Sequence, residues 1–160
     1  MTARNISLNA FALDAREGRT EPLNILGVET LVKVANADTD GALTIFQQTL
    51  LPLAGPPLHR HSNEDEWFYV LQGKLTFQID GERSFHRAGS SVFAPRGTVH
   101  TFKNFEDVPA YILAVVTPGR FQHFSEDLSF SSSGQAVQDQ GRIKTLASEY
   151  GIEILGPPLS

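Results

Sequence analysis

At 160 residues the chain has room for one domain with a sizeable hydrophobic core, and its 41% hydrophobic and 19% charged residues are the mix of a folded globular protein. No window is apolar for long enough to form a membrane-crossing helix, a formal net charge of −5 without any cluster of Lys and Arg argues against nucleic acid as a partner, and the lack of cysteine excludes disulfides, thiolate ligands and a cysteine nucleophile. The first 20 residues carry no apolar stretch of the secretory type, so the expectation is a cytoplasmic protein with no membrane partner.

In chain order, residues 30 to 117 form a succession of short segments rich in β-branched and aromatic residues, broken at close intervals by Gly, Pro, Asn and Asp. That pattern predicts an all-β sandwich or barrel. Strands are expected at 31–35, 42–50, 66–71, 74–79, 83–86, 91–94, 99–104 and 111–117. Asp80-Gly81, between LTFQI and ERSFH, signals a two-residue hairpin because both positions tolerate positive φ, so the flanking strands should pair antiparallel. After Pro118-Gly119 the segment FQHFSEDL has helical spacing, and SSSGQAVQDQG at 131–141 reads as a linker. RIKTLASEYGIEIL then places Ile143, Leu146, Ala147 and Tyr150 on one helical face, with Gly151 available as the stop. The expected layout is one domain, a β-barrel with N-terminal strands over 1–118 and a helical extension over 119–160 packed on it.

Two segments concentrate the chemistry. In PPLHRHSNEDEWFYVLQG, His59 and His61 are two apart, so on extended backbone their imidazoles share a face, about 7 Å apart at the backbone. Glu66 opens the strand EWFYVL, and Gly73 ends it. In GSSVFAPRGTVHTFKN, Gly89 opens a strand, Pro95 and Gly97 mark a turn, and His100 begins the next strand. Three imidazoles and a carboxylate converging from separate segments suit one divalent transition metal ion (Fe, Mn, Ni, Co, Cu or Zn) and leave positions for water or substrate. An all-oxygen Mg or Ca site is not what these residues make. Glu64 and Asp65 rival Glu66 as the carboxylate. Alternation along EWFYVL turns Glu66, Phe68 and Val70 inward, which favours Glu66 and assigns Glu64 and Asp65 to solvent or the pocket rim. The opposite row, Trp67, Tyr69 and Leu71, faces outward and calls for a cover. Phe68, Phe77, Phe93 and Phe102 read as core, with Phe68 and Phe102, beside ligands, doubling as substrate-pocket wall. His86 and His123 read as surface or packing residues, Pro95, Gly97 and Asn104 as turn architecture, and Arg96 as a solvated side chain near the barrel mouth.

Taken together, these identities and spacings resemble the two motifs of the cupin superfamily. The first motif, His-x-His, four residues, Glu, six residues, Gly, falls on His59, His61, Glu66 and Gly73; the second falls on Gly89, Pro95, Gly97, His100 and Asn104. One position departs. The leading Gly of the first motif would stand six residues before His59, where this chain has Leu53, and Gly55 is the candidate to make that turn. The resemblance implies a double-stranded β-helix (jelly-roll) cupin barrel with short C-terminal helices, a metal ion on His59, His61, Glu66 and His100, and a homodimer.

The same two stretches and the ending EYGIEILGPP are similar to single-domain bacterial cupins described as quercetinase-like. That likeness implies a metal-dependent dioxygenase acting on a small phenolic or enolisable substrate such as a flavonol, with Glu66 serving as ligand and as catalytic base. The same donor set also suits a cupin isomerase or decarboxylase, and a non-catalytic module that binds a small metabolite.

Overall fold

Two tight turns set the registers from which the sheets grow. Strands β1 (Leu23–Ile25) and β2 (Val28–Val34) are joined by Leu26 and Gly27 at φ 52° and 89°, with Ile25 opposite Val28. Strands β6 (Lys74–Ile79) and β7 (Glu82–Arg87) are joined by Asp80 and Gly81 at φ 46° and 91°, with Ile79 opposite Glu82. The second is the hairpin expected from Asp-Gly, both turn residues adopting the positive φ that matches the twist of the strands. The chain is described by a computed structural model that covers residues 9–132 and 139–160. Most of the expected linker at 131–141 and the first eight residues lie outside the described residues.

The remaining strands are β3 (Thr44–Leu50), β4 (Leu58–His61), β5 (Asp65–Gln72), β8 (Ser91–Ala94), β9 (His100–Lys103), β10 (Ala110–Thr117) and β11 (Ile152–Gly156). They form two antiparallel sheets, one ordered β1-β2-β3-β10-β5-β8 and the other β11-β4-β9-β6-β7. The fold is the all-β, double-stranded β-helix. Its core lies between the sheets, where Val32, Phe46, Phe68, Val70, Ile112 and Val116 of the first meet Leu75, Phe77 and Phe102 of the second. Strand β5 alternates as its sequence requires: Glu66, Phe68 and Val70 are buried, whereas Trp67 and Leu71 are exposed and Tyr69 is half-buried. Phe93, read as core, points outward from β8 and is 59% exposed, because it pairs with outward-facing Trp67.

Strand β2 is followed by a 3-10 turn, Asn36–Thr39, whose Asp38 carboxylate accepts hydrogen bonds from Ala35 N at 2.9 Å and from the Arg19 guanidinium at 2.7 and 2.8 Å. Beyond β10 come helices α1 (Phe121–Ser132) and α2 (Gln140–Glu149). Ile143 and Ala147 of α2 are buried, with Leu146 and Tyr150 packed beside them, in a second apolar cluster with Phe124, Leu128 and Ile152. Among the described residues no helix is long and apolar enough to cross a membrane.

The last helix stops at Gly151 as expected, but the extension read as helical goes on as a strand. Gly151, at φ 73°, closes the helix, and Ile152–Gly156 becomes β11, pairing with β4 so that Ile152 faces His61 and Ile154 faces His59. Five residues, Ile-Glu-Ile-Leu-Gly, suffice once an open strand edge is there to receive them. Strands β1 and β4, too short or too polar to show in the sequence, owe their extended form to the same ladder pairing.

Candidate metal centre

The site is built where the two sheets face each other. Strands β4 and β9 of the five-stranded sheet supply His59, His61 and His100, and β5 of the six-stranded sheet supplies Glu66, paired on its two sides with Ala94 and Val116. His59 and His61 share a face of β4 as their spacing predicts. His100 stands opposite His59, and the turn before it is held to the first motif by a hydrogen bond from Gly97 N to the His61 carbonyl at 2.7 Å. His61, Glu66 and His100 are buried, and His59 is half-buried. One candidate ligand atom from each of the four lies within 4.8 Å of the others.

Each imidazole is oriented through its outer nitrogen. Nδ1 of His59 donates to the Pro57 carbonyl at 2.8 Å, Nδ1 of His100 to the Thr98 carbonyl at 3.0 Å, and Nδ1 of His61 to the Glu64 carboxylate at 3.2 Å. With a proton assigned to each Nδ1, all three Nε2 atoms are left for the centre, the arrangement that metal-ligating histidines require. Nε2 of His100 lies 2.6 Å from Glu66 Oε2. His61 Nε2 lies 3.2 Å from the same oxygen, yet makes no hydrogen bond and is buried. A buried polar atom without a partner is costly, and a cation at the centre would satisfy it. The residues fit a divalent transition metal, whose identity the donor set does not single out.

Electrostatics follow from burial and proximity. Burial, reinforced by the neighbouring imidazoles of His100 and His61, lowers the pKa of His59 to about 3. Burial acts in the same sense on His61, but the Glu66 and Glu64 carboxylates outweigh it and raise His61 to about 9, so an entering ion displaces a proton there. Burial would lift the Glu66 carboxyl; His61 and His100 reverse this and hold it well below the ordinary range.

Around the four, the structure corrects one reading and completes others. Glu64, assigned by parity to solvent or the rim, is 4% exposed and hydrogen-bonded to His61. It precedes the first residue of β5, where alternation does not apply, and the bend at Ser62 and Asn63 places it against His61. Asp65 does turn outward, bound by the Arg96 side chain at 3.0 Å and backbone N–H at 2.8 Å, which hold its pKa at about 2. Arg96 thereby ties the two motifs together. Phe68 lies beside His100 with ring centroids 6.0 Å apart, whereas Phe102 packs behind it, 5.2 Å from both Phe68 and Phe77. Asn104 is the buried turn residue expected: its amide donates to the Leu50 and Val108 carbonyls and its oxygen accepts from Glu106 N. His86 bonds Ser84 and packs on Phe77, and His123 is exposed beside Glu126.

The motif departure resolves into two roles. Leu53 keeps the left-handed backbone of the missing glycine, φ 65°. Gly55 serves a different need, since a Cβ there would stand 2.2 Å from the Phe102 carbonyl oxygen. Phe121 is the first residue of α1. Its ring packs edge-on against His61 at 5.0 Å and against Phe46 at 5.8 Å.

Comparison with known proteins agrees with this geometry. Residues 46–116 match the cupin domain family, so this part of the chain is a cupin domain. Uncharacterised proteins of Aquifex aeolicus and Methanocaldococcus jannaschii are 33% and 31% identical to it over 103 and 79 residues. These matches cover 64% and 49% of this chain, and 75% and 63% of the relatives' own lengths. Quercetin 2,3-dioxygenase of Bacillus subtilis is 30% identical over 70 residues, 44% of this chain but 20% of that enzyme. Among solved structures, an RmlC-like cupin from Shewanella frigidimarina shares the fold at a TM-score of 0.60 and 20% identity, covering 72% of this chain and 96% of that one. A predicted oxalate decarboxylase from Thermotoga maritima (TM-score 0.54, 57% and 80% covered) and a sugar phosphate isomerase from Silicibacter pomeroyi (TM-score 0.53, 64% and 69% covered) are each 27% identical.

Proposed function

We propose that the chain is a metal-dependent dioxygenase acting on a small phenolic or otherwise enolisable substrate, for which a flavonol is the first test compound. The observation that carries this reading is the buried three-imidazole, one-carboxylate group, with Phe68 against His100 and Phe121 against His61. The likeness to quercetin 2,3-dioxygenase over the motif region supports it. His59, His61 and His100 would hold the ion through Nε2, with Glu66 as fourth ligand. When bound, the ion supplies Lewis acidity toward a substrate oxygen and, if redox-active, a route for electrons to O₂.

Glu66 is the base. Its carboxylate, kept ionised by His61 and His100, accepts the proton of the substrate hydroxyl at Oε2. Phe68 and Phe121 keep water from the ionised substrate, and Phe102 backs Phe68.

A second reading, isomerisation or decarboxylation of a small oxygenated substrate by the same base, draws on the 27% identical structures described as an isomerase and a decarboxylase. Elemental analysis of untagged protein, followed by oxygen uptake with flavonols and enolisable phenols after reconstitution with each candidate metal, decides between them. Uptake with a redox-active metal is the expected result. No uptake with any metal removes the dioxygenase reading, and a saturated site that turns over nothing favours a metabolite-binding module.

A further inference from the structure

Glu64 is a buried acid whose place is not explained by the four candidate ligands. It is 4% exposed, and its Oε2 accepts the hydrogen bond from His61 Nδ1 at 3.2 Å. His59 and His100 are oriented by the neutral carbonyls of Pro57 and Thr98; His61 alone is oriented by a carboxylate. On the far side of the same ring, Nε2 is buried and makes no hydrogen bond, 3.2 Å from Glu66 Oε2. Glu64 therefore fixes the orientation of the imidazole whose Nε2 faces Glu66 Oε2 across the centre.

A charge count gives the second reason. A divalent ion on three neutral imidazoles and the Glu66 carboxylate leaves one net positive charge in a buried site, and uncompensated buried charge is expensive. Glu64 brings the group to neutrality.

We propose that Glu64 is a positioning residue that orients His61 and balances the charge of the bound ion. This rests on the reading of His59, His61, Glu66 and His100 as metal ligands.

The test is Co(II) competition against a chelator of known affinity, and azide titration of the Co(II)-loaded protein followed by its visible spectrum. The unsubstituted chain is compared with Glu64→Gln, which keeps an acceptor but removes the charge, and Glu64→Ala, which removes both. Co(II) affinity should fall about tenfold in E64Q and towards 100-fold in E64A. Azide, an anion, should bind Co(II)-loaded E64Q more tightly than the unsubstituted chain. The melting temperature of metal-free E64Q serves as the folding control, and E64Q decides the matter if E64A does not fold. Parental Co(II) and azide affinities in E64Q would overturn the inference. An unsubstituted chain that takes up no Co(II) overturns the metal reading itself, and this inference with it.

Discussion

His59 and His100 stand directly opposite each other on β4 and β9, ring centroids 4.4 Å apart, as the register pair that joins those two strands. Strand β4 is otherwise held by β11. An ion bound to both rings, to His61 and to Glu66 would therefore clamp β4 to β9 and the five-stranded sheet to β5 of the other. Binding to the folded state alone stabilises by about 4 kcal/mol at a free-ion concentration a thousand times Kd, roughly a 10 °C rise in Tm for a chain of this size. Calorimetry with and without chelator should show that difference. His100→Ala should abolish it together with metal retention; full occupancy in that variant by elemental analysis would show that the ligand set is wrong.

Leu53 and Gly55, two residues apart in one loop, should respond to substitution in opposite senses. Leu53 holds φ 65° with its side chain 66% exposed, so it bears the steric cost of the left-handed region with little burial in return. Leu53→Gly removes that cost, partly offset by the greater freedom of the unfolded chain, and should stabilise by about 0.5–1 kcal/mol. Gly55→Ala drives a Cβ against the Phe102 carbonyl oxygen and should destabilise by about 2 kcal/mol or more. Urea midpoints of the two variants check both signs.

Much of this molecule was legible in its sequence, and the parts that were not share a cause. Asp80-Gly81 and the alternation of Glu66, Phe68 and Val70 are local signals, and the structure follows them. His59, His61, Glu66 and His100 could be grouped because residue type and spacing together restrict which side chains meet. Strand β4 has no β-branched residue to announce it, and β11 hides behind a helix pattern until Gly151 breaks it. Glu64 lies outside the strand whose parity was used to place it. Phe121 reaches His61 across sixty residues of chain, through packing that local pattern cannot encode.

Asp38 contributes to the acid limb of the stability profile. Its hydrogen bonds from Arg19, and then from Ala35 N, outweigh partial burial and lower its pKa below the ordinary 3.8. A carboxylate depressed in the folded state contributes stability that is present above its unfolded pKa and is lost as pH falls through the folded value. Asp38→Asn should thus be less stable than the unsubstituted chain at pH 7, with a gap that stays constant down to about pH 5 and closes below 3.8. Thermal melts across that range measure the gap; one that widened on acidification would contradict the assignment.

Phe121 links the C-terminal helices to the site, since its ring touches His61 on one side and Phe124 of α1 on the other. Replacing it by Ala removes an aromatic wall without removing a donor atom. The loss of packing should cost about 2 kcal/mol, less than a fully buried Phe because this one is half-buried. Co(II) affinity should be little changed, but the rate at which a chelator strips Co(II) from the site should increase, because His61 is no longer covered. Phe121→Leu should restore most of the slow release. If stability falls while the stripping rate stays fixed, Phe121 is a core residue only, and the way into the site lies on the half-buried His59 side.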